Sequence, residues 1–327
     1  MNGDMIMVTP LLRLLKEDGY HVTLNCNKRG ESVIKHDPNI DKIIIHDEKI
    51  PNEKLGEHWA ELGKGYDRVI NLSESIEKGL LAVEGSPEFH WPHLKRHTHY
   101  NVNYYDRTLE LGGYGHIKGL NGELHFSPAE ERIIADVRKK YIGKFKVLWS
   151  LSGSAQHKTF PYSPYAANAF LNKHPNAVII TVGDDICRII EWDHPRVVKR
   201  SGQWSIRKSM LMTKYADLVI SAETGIANAA GCYDTPKIIL LSHSSEENLT
   251  KYWKNCINIK AEVPCQPCHQ IHYSEESCPI NGQTVKGPVC MTELMPGTLM
   301  EAMNTVYERW ANGLHIGQRK SGIPCRG

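Results

Sequence analysis

Ala216-Asp-Leu-Val-Ile-Ser-Ala-Glu-Thr-Gly-Ile-Ala-Asn-Ala-Ala-Gly231 reads as a strand running directly into a helix. Leu218, Val219 and Ile220 are consecutive apolar residues, the pattern of a strand buried on both faces. Thr224 then suits an N-cap, and the small residues from Gly225 to Gly231 allow a helix to lie close against a sheet. A strand whose carboxyl end opens onto a helix start is the repeating unit of an open α/β sheet. The turn between them is where such sheets bind anions.

Outward from this stretch the same unit recurs. In the second half, Val147–Leu151, Ala177–Val182 and Lys237–Leu241 read as strands, with helices at Pro164–Lys173, Ile206–Tyr215 and Gly297–Trp310. In the first half, a helix from Met5 to Glu17 precedes strands at His21–Asn25, Lys42–His46 and Asp67–Leu72, with helices at Glu31–His36 and Asn52–Leu62 between them. The alternation breaks between Pro87 and Pro92. A polar helix at Val102–Leu111 and a charged one at Pro128–Tyr141 lead to a link near Lys144. The expectation is an α/β chain of two Rossmann-like domains, 1–144 and 145–312, with a Cys-rich insertion at 264–291 and a flexible tail at 313–327.

Length and charge support this. A chain of 327 residues holds about two domains, and a formal net charge of +2 is too balanced for a nucleic-acid coat or a disordered acidic tail. No run approaches the ~18 apolar residues of a membrane span. Met-Asn-Gly-Asp lacks the features of an export signal, so a cytoplasmic location is expected, with membrane contact limited to the periphery.

Three turns at strand ends carry candidate binding residues. Ser150-Leu-Ser-Gly-Ser-Ala-Gln-His-Lys158 offers Ser152 and Gly153 for close backbone approach and Lys158 as a cation for phosphate; a solvated loop lysine is the plain alternative. Gly183-Asp184-Asp185 offers a carboxylate for ribose hydroxyls or, equally, a helix cap. Glu223-Thr-Gly-Ile226 offers backbone N–H groups to a diphosphate, or is an ordinary helix start. Neither G-x-G-x-x-G nor G-x-x-x-x-G-K-[ST] is present, so the dinucleotide fingerprint and the Walker loop do not apply.

Two further segments stand out. Cys265, Cys268, Cys278 and Cys290 have the spacing C-x2-C-x9-C-x11-C, which fits a structural zinc site with four thiolates; two disulfides or free thiols are the alternatives. His93-Leu-Lys-Arg-His-Thr-His-Tyr100 is a basic-aromatic patch. Its plain reading is a solvated surface; its functional one makes Lys95, Arg96 and Tyr100 contacts for a phosphorylated acceptor, a glycan or a nucleic-acid backbone.

Gly3-Asp4-Met-Ile-Met-Val-Thr-Pro-Leu-Leu-Arg-Leu-Leu15 resembles the Gly-Asp-x5-Pro-x4-Leu opening of the heptosyltransferase-like glycosyltransferases, glycosyltransferase family 9. The Ala216–Gly231 stretch followed by Thr235-Pro236 is similar to that family's donor-site signature, and the cysteine segment to one common among its members. The resemblance implies a GT-B fold, with two Rossmann-like domains facing each other across a cleft. It implies an inverting, metal-independent transfer from an ADP-heptose-like nucleotide-sugar to an acceptor such as a lipopolysaccharide-type glycan, without a catalytic cofactor. Asp4 matches the general base that takes the acceptor's proton, although an N-cap role explains the same residue. Lys158, Thr224 and Gly225 match the diphosphate contacts. Two features depart from the pattern. Glu223 stands where the family has Asp, and Asn228 where it has His, in the donor site. The chain also begins in the Gly-Asp loop, where the family has a preceding central strand, implying a start further upstream or a sheet without that strand. Two rival functions share parts of this reading: glycosylation of another polymer such as hydroxymethylated DNA, and a non-enzymatic zinc-ribbon protein binding nucleic acid.

Overall fold

The computed structural model of the chain describes residues 2–46, 49–73, 75–76, 78–272, 278 and 286–314. The expected tail therefore lies, from residue 315 onward, outside the described residues.

The first half opens with α1 (Asn2–Glu17), followed by β1 (Thr23–Cys26), α2 (Lys28–Ile34), β2 (Lys42–Ile45), α3 (Leu55–Gly63), β3 (Ala82–Val83), α4 (His93–Tyr100), α5 (Tyr104–Leu111) and α6 (Pro128–Lys140). α1 is a central helix, not a surface one. Ile6, Met7, Val8, Leu11 and Leu12 are all buried, and they divide among three apolar clusters on different sides of the helix. Pro10 sits inside it and has no N–H to give the carbonyl of Ile6. Thr9 Oγ1 donates to that oxygen at 2.8 Å, so the carbonyl stays satisfied within the core.

β1 and β2 form a two-stranded parallel sheet. The expected strand at Asp67–Leu72 is not formed. Its residues lie exposed or half-buried and join no ladder, because a strand's apolar pattern has effect only beside a neighbour with open backbone groups.

The second half contains β4 (Phe145–Ser150), α7 (Ser163–Lys173), β5 (Ala177–Val182), β6 (Val197–Lys199), α8 (Ile206–Thr213), β7 (Leu218–Ala222), α9 (Gly225–Gly231), β8 (Lys237–Leu240), β9 (Cys256–Ile259), β10 (Gln270–Ile271), α10 (Val289–Thr292) and α11 (Pro296–Ala311). Six strands make one parallel sheet in the order β6-β5-β4-β7-β8-β9. Order reverses about β4, so β4 and β7 flank the crevice where a doubly wound sheet receives its ligand. Alternation along β4 fills both faces. Phe145, Val147 and Trp149 pack with α7 and α11, and Leu148 packs on the other side with Ile180, Val219 and α8.

The halves are tied at several seams. Arg207 on α8 is buried and reaches across to Glu130 on α6. Asn248 donates to the carbonyls of Tyr100 and Val102 at 2.7 and 2.9 Å. β10, within the Cys-rich segment, pairs in parallel with β3 of the first half. Through β10, the described part of the Cys-rich segment thus joins both halves of this α/β architecture.

Candidate active site

The carboxyl ends of β5, β4, β7 and β8 lie side by side, and the turns that follow them line a cleft of about 570 Å³. Across it, the first half contributes Gly3, Asp4 and Met7 from α1, together with Asn27 and Arg29. Asp4, Ser152, Gly153, Lys158, Asp184, Glu223, Thr224, Gly225, Ile226 and Asn228, picked out from the sequence, all line this one cleft.

Asp4 is not an N-cap. Helix α1 already runs from Asn2, which puts Asp4 in its first turn, where the helix dipole favours a carboxylate. Gly3 keeps α1 close to α9: a Cβ there would lie 2.8 Å from Asn228 Nδ2. Gly153 serves Lys158 in the same way. A Cβ at 153 would meet Lys158 Cδ at 2.8 Å and Thr224 Cγ2 at 3.0 Å, so the missing side chain lets the lysine stem lie along the turn.

Thr224 Oγ1 accepts from the amides of Ile226 and Ala227 at 3.2 and 3.5 Å and contacts Ser221 Oγ at 2.8 Å. It is the cap of α9, so a phosphate using those amides has to replace the threonine hydroxyl. Asp184 also works locally, its Oδ1 accepting from the Cys187 amide at 3.2 Å. Asn228 donates to the Thr224 carbonyl at 3.1 Å, while its Oδ1 is buried without a partner.

Glu223 lines the cleft, yet its oxygens are turned to the β8 turn. Oε1 accepts from the Ser244 amide at 2.8 Å; Oε2 accepts from Ser242 Oγ and the His243 amide and lies 2.7 Å from His243 Nδ1. Burial alone would raise this carboxyl, but His243, Ser242 and the charge of Lys158 together hold it well below the usual range. Glu223, expected from the sequence to contact a donor, thus has both carboxylate oxygens engaged in an internal tie. Its outcome is to orient His243, which sequence reading missed. His157 packs edge-on against His243 at 4.9 Å; burial, then His243 and Lys158, push its pKa down to about 2, so it is neutral.

Lys95, Arg96 and Tyr100 do not line the cleft. Arg96 is buried, donating from Nε to the Cys268 carbonyl at 2.9 Å and from Nη1 to the Trp91 and Phe89 carbonyls. Tyr100 is buried, and Lys95 Nζ sits 3.8 Å above the Trp91 ring. The acceptor contact expected of them gives way to a structural one: Arg96 satisfies carbonyls that join α4 to the Cys-rich segment. Asn27 and Arg29 are the polar first-half residues beside Asp4 instead.

Cys265, Cys268, Cys278 and Cys290 come near one another. Burial, then the Cys278 thiol, raises Cys265. Burial likewise brings Cys268 to about 12, with its neighbours adding to it, and also raises Cys290. Among the described residues, however, no three His, Cys, Asp or Glu side chains are grouped to hold a metal ion. Cys26, Cys187, Cys232, Cys256, Cys265, Cys268 and Cys290 carry free thiols.

No protein-family model and no curated protein sequence matches the chain. Solved structures do resemble it. A glycosyl transferase family 9 protein from Veillonella parvula superposes with a TM-score of 0.66 at 14% identity, covering 94% of this chain and 95% of that one. Escherichia coli ADP-heptose lipopolysaccharide heptosyltransferase II gives 0.64 at 14% identity, over 95% and 97%. The E. coli heptosyltransferase WaaC, solved with ADP, gives 0.55 at 10% identity, over 94% and 97%. What the chain shares with these proteins over nearly its whole length is the fold.

Proposed function

We propose that this chain is an inverting, metal-independent glycosyltransferase that moves a sugar from a nucleoside-diphosphate sugar to an acceptor hydroxyl. The observation carrying this reading is that Asp4 lines the same cleft as Lys158 and the Thr224–Gly225 turn, from the opposite half of the molecule. A hydroxyl is a poor nucleophile until its proton has somewhere to go. Asp4 accepts that proton as the acceptor oxygen bonds to the anomeric carbon. On the far side, the bond from that carbon to the phosphate oxygen breaks, and its electron pair departs with the nucleoside diphosphate. Lys158 and the amides at the start of α9 offset the charge gathering there.

The fold neighbours favour an ADP-heptose-like donor, since one of that fold is an ADP-heptose heptosyltransferase and another was solved with ADP. A lipopolysaccharide-type glycan is the acceptor they favour, and Asn27 and Arg29, which line the cleft, are its proposed polar contacts. The test is a panel of nucleotide-sugars read by thermal stabilisation and then by transfer to glycan and to hydroxymethylated DNA. Asp4→Asn should lower kcat by about 10²- to 10⁴-fold while donor Kd stays unchanged. An equal loss of donor affinity in that variant, or a panel in which no nucleotide-sugar raises the melting temperature, contradicts the reading.

A further inference from the structure

We propose that His243, oriented by Glu223, is a catalytic hydrogen-bond donor to the departing diphosphate; this rests on the transferase reading above. Among the described residues, His243 is the single histidine lining the cleft. It lies in the turn after β8, three residues past Leu240, at the strand end next to β7, whose turn carries Glu223, Thr224 and Gly225. Lys158, which lines the same cleft, is close enough for its charge to be felt at Glu223.

The ring has little freedom. Nδ1 lies 2.7 Å from Glu223 Oε2, the His243 amide donates to the same carboxylate, and the His243 carbonyl accepts from the His269 amide at 2.8 Å. A carboxylate on Nδ1 holds a proton on that nitrogen and leaves Nε2 as the nitrogen for a ligand; in the proposed complex Nε2 carries the second proton and donates it in a hydrogen bond. An imidazole held in this way meets a phosphate oxygen with a charge-assisted hydrogen bond. No proton has to be transferred. The bond shares the negative charge that appears on the phosphate oxygen when the anomeric carbon leaves it, and the acceptor's proton still goes to Asp4. Asn228, which lines the same cleft and donates to the Thr224 carbonyl, offers no cation to that charge. Glu223 acts through His243 and is a positioning residue.

The test uses calorimetry of inorganic pyrophosphate and of ADP with the full chain and the variants Lys158→Met, His243→Asn and His243→Gln. Asparagine can keep the hydrogen bond to Glu223 but has nothing at the Nε2 position; glutamine can put an amide N–H near it. We expect His243→Asn to melt close to the parent and to bind pyrophosphate about 10- to 100-fold more weakly, with part of the loss recovered in His243→Gln. Glu223→Gln should weaken pyrophosphate binding in the parent and add nothing further in His243→Asn; a purely structural glutamate would cost the same in both backgrounds. Parent-like pyrophosphate affinity in a folded His243→Asn, with Lys158→Met impaired, overturns this role for His243 and leaves the transferase reading standing. A parent protein that binds neither pyrophosphate nor ADP overturns both.

Discussion

Replacing Arg207 should separate the two halves energetically more than any other single change at their seam. Its guanidinium is buried and meets both oxygens of Glu130, with Nη2 at 3.0 Å from Oε2. It also donates to the carbonyls of Val33, Ser32 and His125 at 2.5, 3.3 and 2.7 Å. Arg207→Met retains much of the volume but removes its cation from Glu130, leaving that carboxylate its Ser127 contacts, and takes a donor from three carbonyls. Breaking a buried pair of this kind costs about 3–5 kcal/mol. With roughly 2.1 cal/mol/K of unfolding entropy per residue, 327 residues unfolding together give about 0.7 kcal/mol/K, so the melting temperature should fall by about 4–7 °C.

The pH dependence supplies a second check. Burial pushes Glu130 up, but hydrogen bonds and charge from Arg207, with the Ser127 cap, carry it from 4.5 down to about 2. A carboxyl lowered on folding contributes stability that is fully present above pH 4.5 and is lost as the pH falls through about 2. The shift corresponds to about 3 kcal/mol, or nearer 2 after allowing for solvent contact of the carboxylate. Differential scanning calorimetry should therefore show the gap between parent and variant narrowing as the pH drops from 7 toward 3. A loss below about 1 kcal/mol at pH 7, or a gap that ignores pH, would refute the reasoning.

Three other outcomes follow from the same contacts. Gly153→Ala should push Lys158 and Thr224 out of place and weaken nucleoside-diphosphate binding about tenfold, measured by calorimetry, with little change in melting temperature. Thr224→Ala should cost about 1 kcal/mol through loss of the α9 cap, seen in denaturant unfolding, while Thr224→Ser retains most of it. Arg96→Ala should destabilise by about 1–3 kcal/mol and leave the acceptor KM unchanged; a raised KM with full stability would restore the acceptor role.

The central strands of the second half, β4, β5, β7 and β8, were legible because they are buried on both faces; the edge strands β6 and β9 are only half-buried and were missed. Ala177–Val182 is apolar almost throughout, and every residue of it is buried in β5, as such a run requires. The turns at the strand ends were legible for a related reason: small and polar residues crowd where the chain must reverse at a sheet edge. Asp67–Leu72 shows the limit. Val69, Ile70 and Leu72 have a strand's composition, yet pairing depends on a partner that no local pattern reveals. The two-residue strands β3 and β10 are too short to leave any periodic signal. Arg96 and its neighbours look like a ligand-binding patch because cations that bind phosphate and cations that bind backbone carbonyls have the same composition. His243 was hidden for another reason. Its partner Glu223 lies twenty residues away in the chain and becomes adjacent only when β7 and β8 align.

The pairing of β3 with β10 has a consequence for how the molecule can be taken apart. Ala82 donates to the His269 carbonyl at 2.8 Å and Glu84 to that of Ile271 at 3.2 Å, so the later half lends backbone to the earlier one. A cut near residue 144 would leave each fragment with orphaned amides or carbonyls where this ladder had been. Such fragments should regain their shape only when mixed, as complementing pieces rather than as two independent modules.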